Sequence, residues 1–136
     1  MFGVLSPMWI AVLVMLSGCS KEFVFGTSSV APAAEGSVKV SQDHNDNYEI
    51  DLSVIRLVDP GRLTPPKNYY VTWMMTQANG SKNIGQLKTS SGFMSKTLKS
   101  SLETVTSFQP VGFFITAEND VNIQYPSEDV ILRTSN

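Results

Sequence analysis

Sulfhydryl and imidazole are almost absent from this sequence: its 136 residues hold one cysteine, Cys19, and one histidine, His44. A lone cysteine closes no internal disulfide, so the fold is held by packing alone. A lone histidine makes a nucleophilic triad hard to build, and no serine or thiol near His44 in sequence forms a nucleophile elbow. Strong charge of one sign is missing too. Ten Lys and Arg against twelve Asp and Glu give a formal charge of -2, and the bases are scattered from Lys21 to Arg133. Nucleic acid binding, which depends on clustered cations that displace counterions, is not expected from that scatter. Disorder is not expected either, because 42% of the residues are hydrophobic and only 16% are charged, the balance of an ordinary globular chain.

What is present begins at the N-terminus. Met1 to Gly18 carries no charged side chain, and Met8 to Leu16, "MWIAVLVML", is apolar without interruption. Its length suits a secretory h-region of ~7–15 residues and falls short of the ~20 that span a bilayer. Lys21 and Glu22 close the run. The residues Leu16, Ser17, Gly18 and Cys19, "LSGC", follow directly, and this arrangement resembles the lipobox of bacterial lipoproteins. The resemblance implies a diacylglyceryl thioether at Cys19, removal of residues 1–18, and acylation of the new N-terminus. One feature departs from the family: no Lys or Arg precedes the h-region. The alternatives are an uncleaved membrane anchor and a buried free cysteine. Lipidation implies a bacterial cell-envelope protein, tied to a membrane and facing the periplasm or exterior. Several acyl chains at ~0.8 kcal/mol per buried CH₂ make such attachment stable.

Residues 19–35 are then expected to be the lipidated N-terminus and a flexible tether, since "SKEFVFGTSSVAPAAE" shows neither sustained alternation nor a helical face. Phe23, Val24 and Phe25 are the exception, suited either to dipping into the membrane interface or to adding a short strand to the domain.

Residues 36–136 are expected to form the domain, with about 100 residues to build a core. Period-two alternation of β-branched and aromatic residues marks half-buried strands. Val38 and Val40 alternate in a first strand. Tyr48, Ile50, Leu52 and Val54 alternate in a second, and Ile55 and Leu57 continue on the other parity as if past a β-bulge near Val54. In "YYVTWMMT", Tyr69 to Thr76, the predicted inward face holds Tyr69, Val71, Trp73 and Met75. Asn79-Gly80 supplies a turn. Shorter strands are predicted at Asn83 to Lys88 and Phe93 to Leu98. A strong one at Val111 to Glu118 carries Val111, Phe113, Ile115 and Ala117 inward, and Glu128 to Thr134 closes the chain. A helix competes only at Met94 to Thr106 and is set aside because the stretch is dense in Ser and Thr. These strands predict an all-β fold, an antiparallel immunoglobulin-like β-sandwich of about seven strands.

The order "YYVTWMM", "NIGQL", "FQPVGFFITAE", "YPSEDVIL" resembles the extracytoplasmic C-terminal domain of anti-sigma-K factors. Tyr69 or Tyr70 with Trp73, Asn83 with Gly85 and Leu87, Phe108, Ile115 to Glu118, and Pro126 with Val130 to Leu132 carry the likeness, over about Gly36 to Thr134. Such regulators add a cytoplasmic helical domain, often with a zinc pattern, and a transmembrane helix, and neither is seen here. The resemblance therefore implies, at most, the outer domain's role as an accessory or sensor of an anti-sigma system.

Candidate chemistry is sparse. His44 lies among Asp and Asn and reads as a turn residue. Asp43, Asn45 and Asn47 match positions one, three and five of a calcium loop, but Tyr48 and Val54 stand where glycine and glutamate are required. Met74, Met75 and Met94 are ordinary packing methionines before they are copper ligands. No cofactor, metal site or catalytic residue is predicted, and the protein is not expected to be an enzyme. The positive clue is the expected outward parity of the third strand, which holds Tyr70 and Met74 with Thr72 and Thr76. Joined by Phe114 from the neighbouring strand, these form a candidate face for a protein or envelope partner.

Overall fold

The alternating stretches pair into two antiparallel sheets in the computed structural model, which describes residues 20–91 and 98–135. The first sheet contains β1 (Ser20–Val24), β2 (Glu35–Gln42), β3 (Tyr48–Ile55), β6 (Lys88–Ser91) and β7 (Leu98–Thr106), in the order β1-β2-β3-β7-β6. The second contains β4 (Tyr69–Thr76), β5 (Ser81–Gln86), β8 (Pro110–Glu118) and β9 (Val130–Arg133), in the order β5-β4-β8-β9. The chain is thus an all-β sandwich, with nine strands among the described residues where about seven were expected.

Part of the difference lies at residues 81–91. The predicted strand Asn83 to Lys88 is two strands, because the chain leaves one sheet and enters the other at Leu87. The Leu87 side chain is buried and its backbone N–H donates to the Tyr70 carbonyl at 3.0 Å. Gly85, at φ 130°, supplies a backbone conformation that favours glycine just before the crossing. Leu98–Thr106 is strand along its whole described length, paired with Tyr48–Ile55. Of the Ser and Thr that weaken a helix there, Ser101 stands opposite Ser53 on the outer side, while Ser100 and Thr104 stand opposite inward Val54 and Ile50, places that a strand's half-buried surface accepts. The candidate strand Phe93 to Leu98 lies almost wholly outside the described residues.

The expected tether is the other correction. Ser20–Val24 is an edge strand in register with β2, Phe23 opposite Val38. Phe23 and Phe25 are buried, and the Phe23 ring meets Phe113 edge-on at 5.3 Å. A phenylalanine removed from water contributes roughly 1.5–3 kcal/mol, and Phe23 and Phe25 together with the ladder to β2 act against the ~1–2 kcal/mol per residue that ordering the segment costs. Beyond the strand, Gly26 N–H donates to the Arg133 carbonyl at 2.9 Å, and Phe25 bridges to Thr134 of the other sheet. Buried Ser28 accepts from the backbone N–H groups of Val30 and Ala31, and Ala31 and Ala34 reach the core. The domain therefore begins at least at Ser20, not at Gly36.

In β3, Ile50, Leu52 and Val54 point inward as expected. No bulge interrupts the strand, since both its ladders run unbroken to Ile55. The parity changes one residue later, at Arg56, whose φ of 58° turns the chain so that Leu57 returns to the core. The Pro-rich connection "DPGRLTPPKN" includes a 3-10 turn, Pro60–Arg62, capped by the Asp59 side chain.

The main core lies between the sheets. It takes Val38, Val40, Ile50, Leu52 and Val54 from one sheet, and Tyr70, Met74, Phe113, Ile115 and Ala117 from the other. The parity of β4 is thus the reverse of that predicted.

Candidate functional site

Tyr70 and Met74 are 3% and 0% exposed and belong to the core between the sheets. Phe114 points the other way, to the outer side of the four-stranded sheet. It stacks on Trp73 there, with ring centroids 6.1 Å apart and planes 12° from parallel. The three residues expected to form a partner face are divided between the two sides of the sheet, and none is open to a partner. The β4 stretch "YYVTWMM" is apolar on both parities, so alternation alone does not say which side faces the core. Val111, expected inward, is 41% exposed because the β4–β8 register shifts beside it.

The outer face of the four-stranded sheet is apolar because it is covered. Val71, Trp73 and Phe114 form a second core, and Met75, Ile123 and Val130 pack against it. The cover is the connection between β8 and β9, residues 119–129, and it is clamped by polar bonds. Asn83 Nδ2 donates to the carbonyls of Val121 (2.9 Å) and Ile123 (3.0 Å). Trp73 Nε1–H donates to Thr116 Oγ1 (2.8 Å), and that hydroxyl donates to Glu118 Oε2 (2.6 Å). The same oxygen accepts the Ser127 N–H at 3.0 Å. Lys67 pairs with Asp129 at 3.4 Å. Trp73, Asn83, Glu118 and Pro126 all lie in this cover or its clamp.

Among the described residues, nothing covers the outer face of the five-stranded sheet at β1, β2, β3 and β7. Glu22, Lys39, Asp51 and Glu103 stand opposite one another on β1, β2, β3 and β7, and Ser41, Glu49 and Val105 form the next row. These rows line a shallow concavity of about 900 Å³. Its described side chains carry more carboxylates than ammonium groups, so its electrostatic complement is a basic surface. Composition could have signalled it: the outward residues of β2 and, up to Ser53, of β3 are charged or hydroxylic, which reads first as a solvated face.

The sites of possible chemistry resolve into turn and core. His44 is exposed in the β2–β3 turn. The Asp43 carboxylate accepts from the N–H groups of Asn45 (2.8 Å) and Asn47 (2.9 Å) and so shapes that turn. Among the described residues, no group of three His, Cys, Asp or Glu side chains is placed to hold a metal ion. Met74 is core, and Met75 accepts at its sulfur from Arg133 at 3.6 Å. Met94 and Cys19 lie outside the described residues. Tyr70 is the clearest perturbed group. Its hydroxyl donates to the Val58 carbonyl (2.6 Å), and burial, with a smaller contribution from the Asp59 carboxylate, pushes its pKa up to about 12. That is a core phenol held neutral.

Comparison of the chain with family models, curated proteins and solved structures finds no match.

Proposed function

We propose that this protein is a non-catalytic, lipid-anchored β-sandwich of the bacterial envelope that binds a protein partner or envelope component. The anchor is Cys19, and the binding face is the open outer face of the five-stranded sheet. The observation that carries the reading is the junction itself. An apolar run ends in "LSGC", and the very next residue, Ser20, opens strand β1 of the domain. Cleavage before Cys19 would leave the described sandwich intact and its first residue acylated. The concave, charged face supports the binding part. Mass spectrometry of the mature protein tests the anchor: an acylated Cys19 at the N-terminus is expected, and an unprocessed Met1 terminus would overturn it. Photo-crosslinking from Asp51 and, as a control, from Gly61 tests the face. Adducts from position 51 alone are expected, and equal adducts from both would remove it.

A second reading, an accessory or sensor of an anti-sigma system, draws on the order of landmarks from Trp73 to Pro126. The convergence of those landmarks on one structural unit favours a shared fold more directly than a shared task. Deletion of the gene with no change in any sigma-dependent transcript would remove this reading.

A further inference from the structure

One end of the sandwich gathers features that the binding face does not use. Ser20 is level with Ser41, Glu49 and Val105 across the sheet. It therefore lies at the end that carries the β2–β3 turn (43–47), the β7–β8 turn (107–109) and the β4–β5 turn (77–80). A peptide bond holds the Cα of Cys19 ~3.8 Å from that of Ser20, and Ser20 is fixed in the sheet ladder. There is no length of loose chain between a lipid on Cys19 and the folded domain.

The same end displays two aromatic rings. Phe108, in the β7–β8 turn, is 36% exposed with the Lys82 ammonium 4.2 Å above its ring. Tyr125 is 77% exposed and shares a surface depression with Asn79, Gly80 and Lys82. Ser20 on β1 and the end of β7, which leads into Phe108, are three strand spacings apart, about 14 Å at ~4.8 Å per strand. Aromatic rings beside a long cation suit the headgroup boundary, where the ring is buried and the ammonium reaches water. The acidic tip of the β2–β3 turn, with Asp43 and Asp46, lies at this end as well and disfavours an anionic surface.

We propose that this end is a membrane-seating surface: Phe108, Tyr125 and Lys82 rest on the zwitterionic headgroup layer of the bilayer that holds Cys19, so the sandwich stands upright on it. This rests on the lipid-anchor reading above. Standing upright points the strands away from the membrane and leaves the open face of the five-stranded sheet accessible from the side. The connection holding Arg62, which follows β3, is then at the distal end, about 25 Å away over an eight-residue strand.

The test uses the mature lipidated protein in phosphatidylcholine vesicles, with a fluorophore on a cysteine placed by Asn79→Cys or Arg62→Cys and a nitroxide quencher on the lipid headgroup. Both positions are exposed. Quenching at position 79 is expected to exceed that at 62 several-fold. Adding Phe108→Ser and Tyr125→Ser is expected to bring the two nearly level while flotation with the vesicles persists. Protein that does not float overturns both the anchor and the seating. Protein that floats with equal quenching at 79 and 62, or whose difference survives the double substitution, overturns the seating alone and leaves the anchor standing.

Discussion

The two sheets treat their outer faces in opposite ways. The five-stranded sheet alternates cleanly in β2 and β3, inward Val38, Val40, Ile50, Leu52 and Val54 against outward Lys39, Glu49 and Asp51, and among the described residues its outer face is bare. The four-stranded sheet is buried on both sides, with five consecutive residues of β4, Tyr70 to Met74, out of solvent. Its outer face is closed by residues 119–129 over Trp73 and Phe114. A bare face needs only that its side chains tolerate water, whereas a covered face needs apolar contact and a partner for every polar group placed under the cover. The Trp73–Thr116–Glu118–Ser127 chain is how the covered face meets that need.

The largest expected effect comes from breaking the covered face. Trp73→Ala removes a fully buried ring, its stacking on Phe114 and the donor to Thr116. Large aromatic-to-alanine changes in cores cost about 3–5 kcal/mol. Denaturant unfolding is expected to show a loss of that order, with faster amide exchange in residues 121–127. A loss below about 1 kcal/mol, the net worth of one hydrogen bond, would mean that the second core contributes little.

Tyr70 probes the main core under the same sheet. An unfolded tyrosine ionises near 10, and in the folded chain burial first and Asp59 second push Tyr70 up to about 12. Its contribution is thus complete below pH 10 and is lost as pH rises from 10 towards 12. The slope in that window is about 1.4 kcal/mol per pH unit. Tyr70→Phe is expected to cost about 1 kcal/mol at neutral pH, through the lost bond to Val58. It is also expected to flatten the alkaline limb of the stability profile relative to the parent. An identical alkaline limb in both proteins would assign that limb to other groups.

Thr72 is smaller in effect and opposite in sign. It lies on the inward parity of β4 between Tyr70 and Met74, fully buried, and its hydroxyl has no hydrogen-bond partner among the described residues. Leaving a hydroxyl desolvated and unpaired costs about 1–3 kcal/mol, and valine nearly matches its shape. Thr72→Val is expected to raise stability by about 1 kcal/mol in thermal or chemical unfolding, and a destabilised variant would point to a water bound at that hydroxyl.

The contrast between the faces also explains what the sequence could and could not tell. Where one side of a strand is bare, as in β2 and β3, alternation reports the inward side directly and the core residues were legible. Where both sides are buried, as in β4, Tyr69 to Met75 offers apolar residues on either parity, so the expected binding face of Tyr70, Met74 and Phe114 had no sound basis. The deciding fact is the cover, and residues 119–129 carry only Val121 and Ile123 as local signs of it. In β1 the sign was present: Phe23 and Phe25 are spaced by two, but Ser, Gly and Thr around them resemble a linker. Arg56 shows a third kind of limit, because a left-handed non-glycine residue leaves no mark in a hydrophobic pattern. Cys19 is the reverse case, a site suggested by its neighbours in sequence and lying outside the described residues.

The smallest effect belongs to the bare face, and it separates stability from binding. Across β1, β2, β3 and β7 the row reads Glu22, Lys39, Asp51, Glu103. The first three alternate in sign, but Asp51 and Glu103 place two carboxylates opposite each other, which is mildly repulsive at this spacing. Glu103→Lys completes the alternation and is expected to stabilise the sandwich by about 0.2–0.5 kcal/mol, less at high salt, since exposed pairs are weak and screened. The same change makes the concavity less acidic. If the face receives a basic surface of a partner, crosslinking from Asp51 should fall in Glu103→Lys while the protein becomes slightly more stable. A variant that gains stability and keeps its full crosslinking would show that the excess of acid plays no part in recognition.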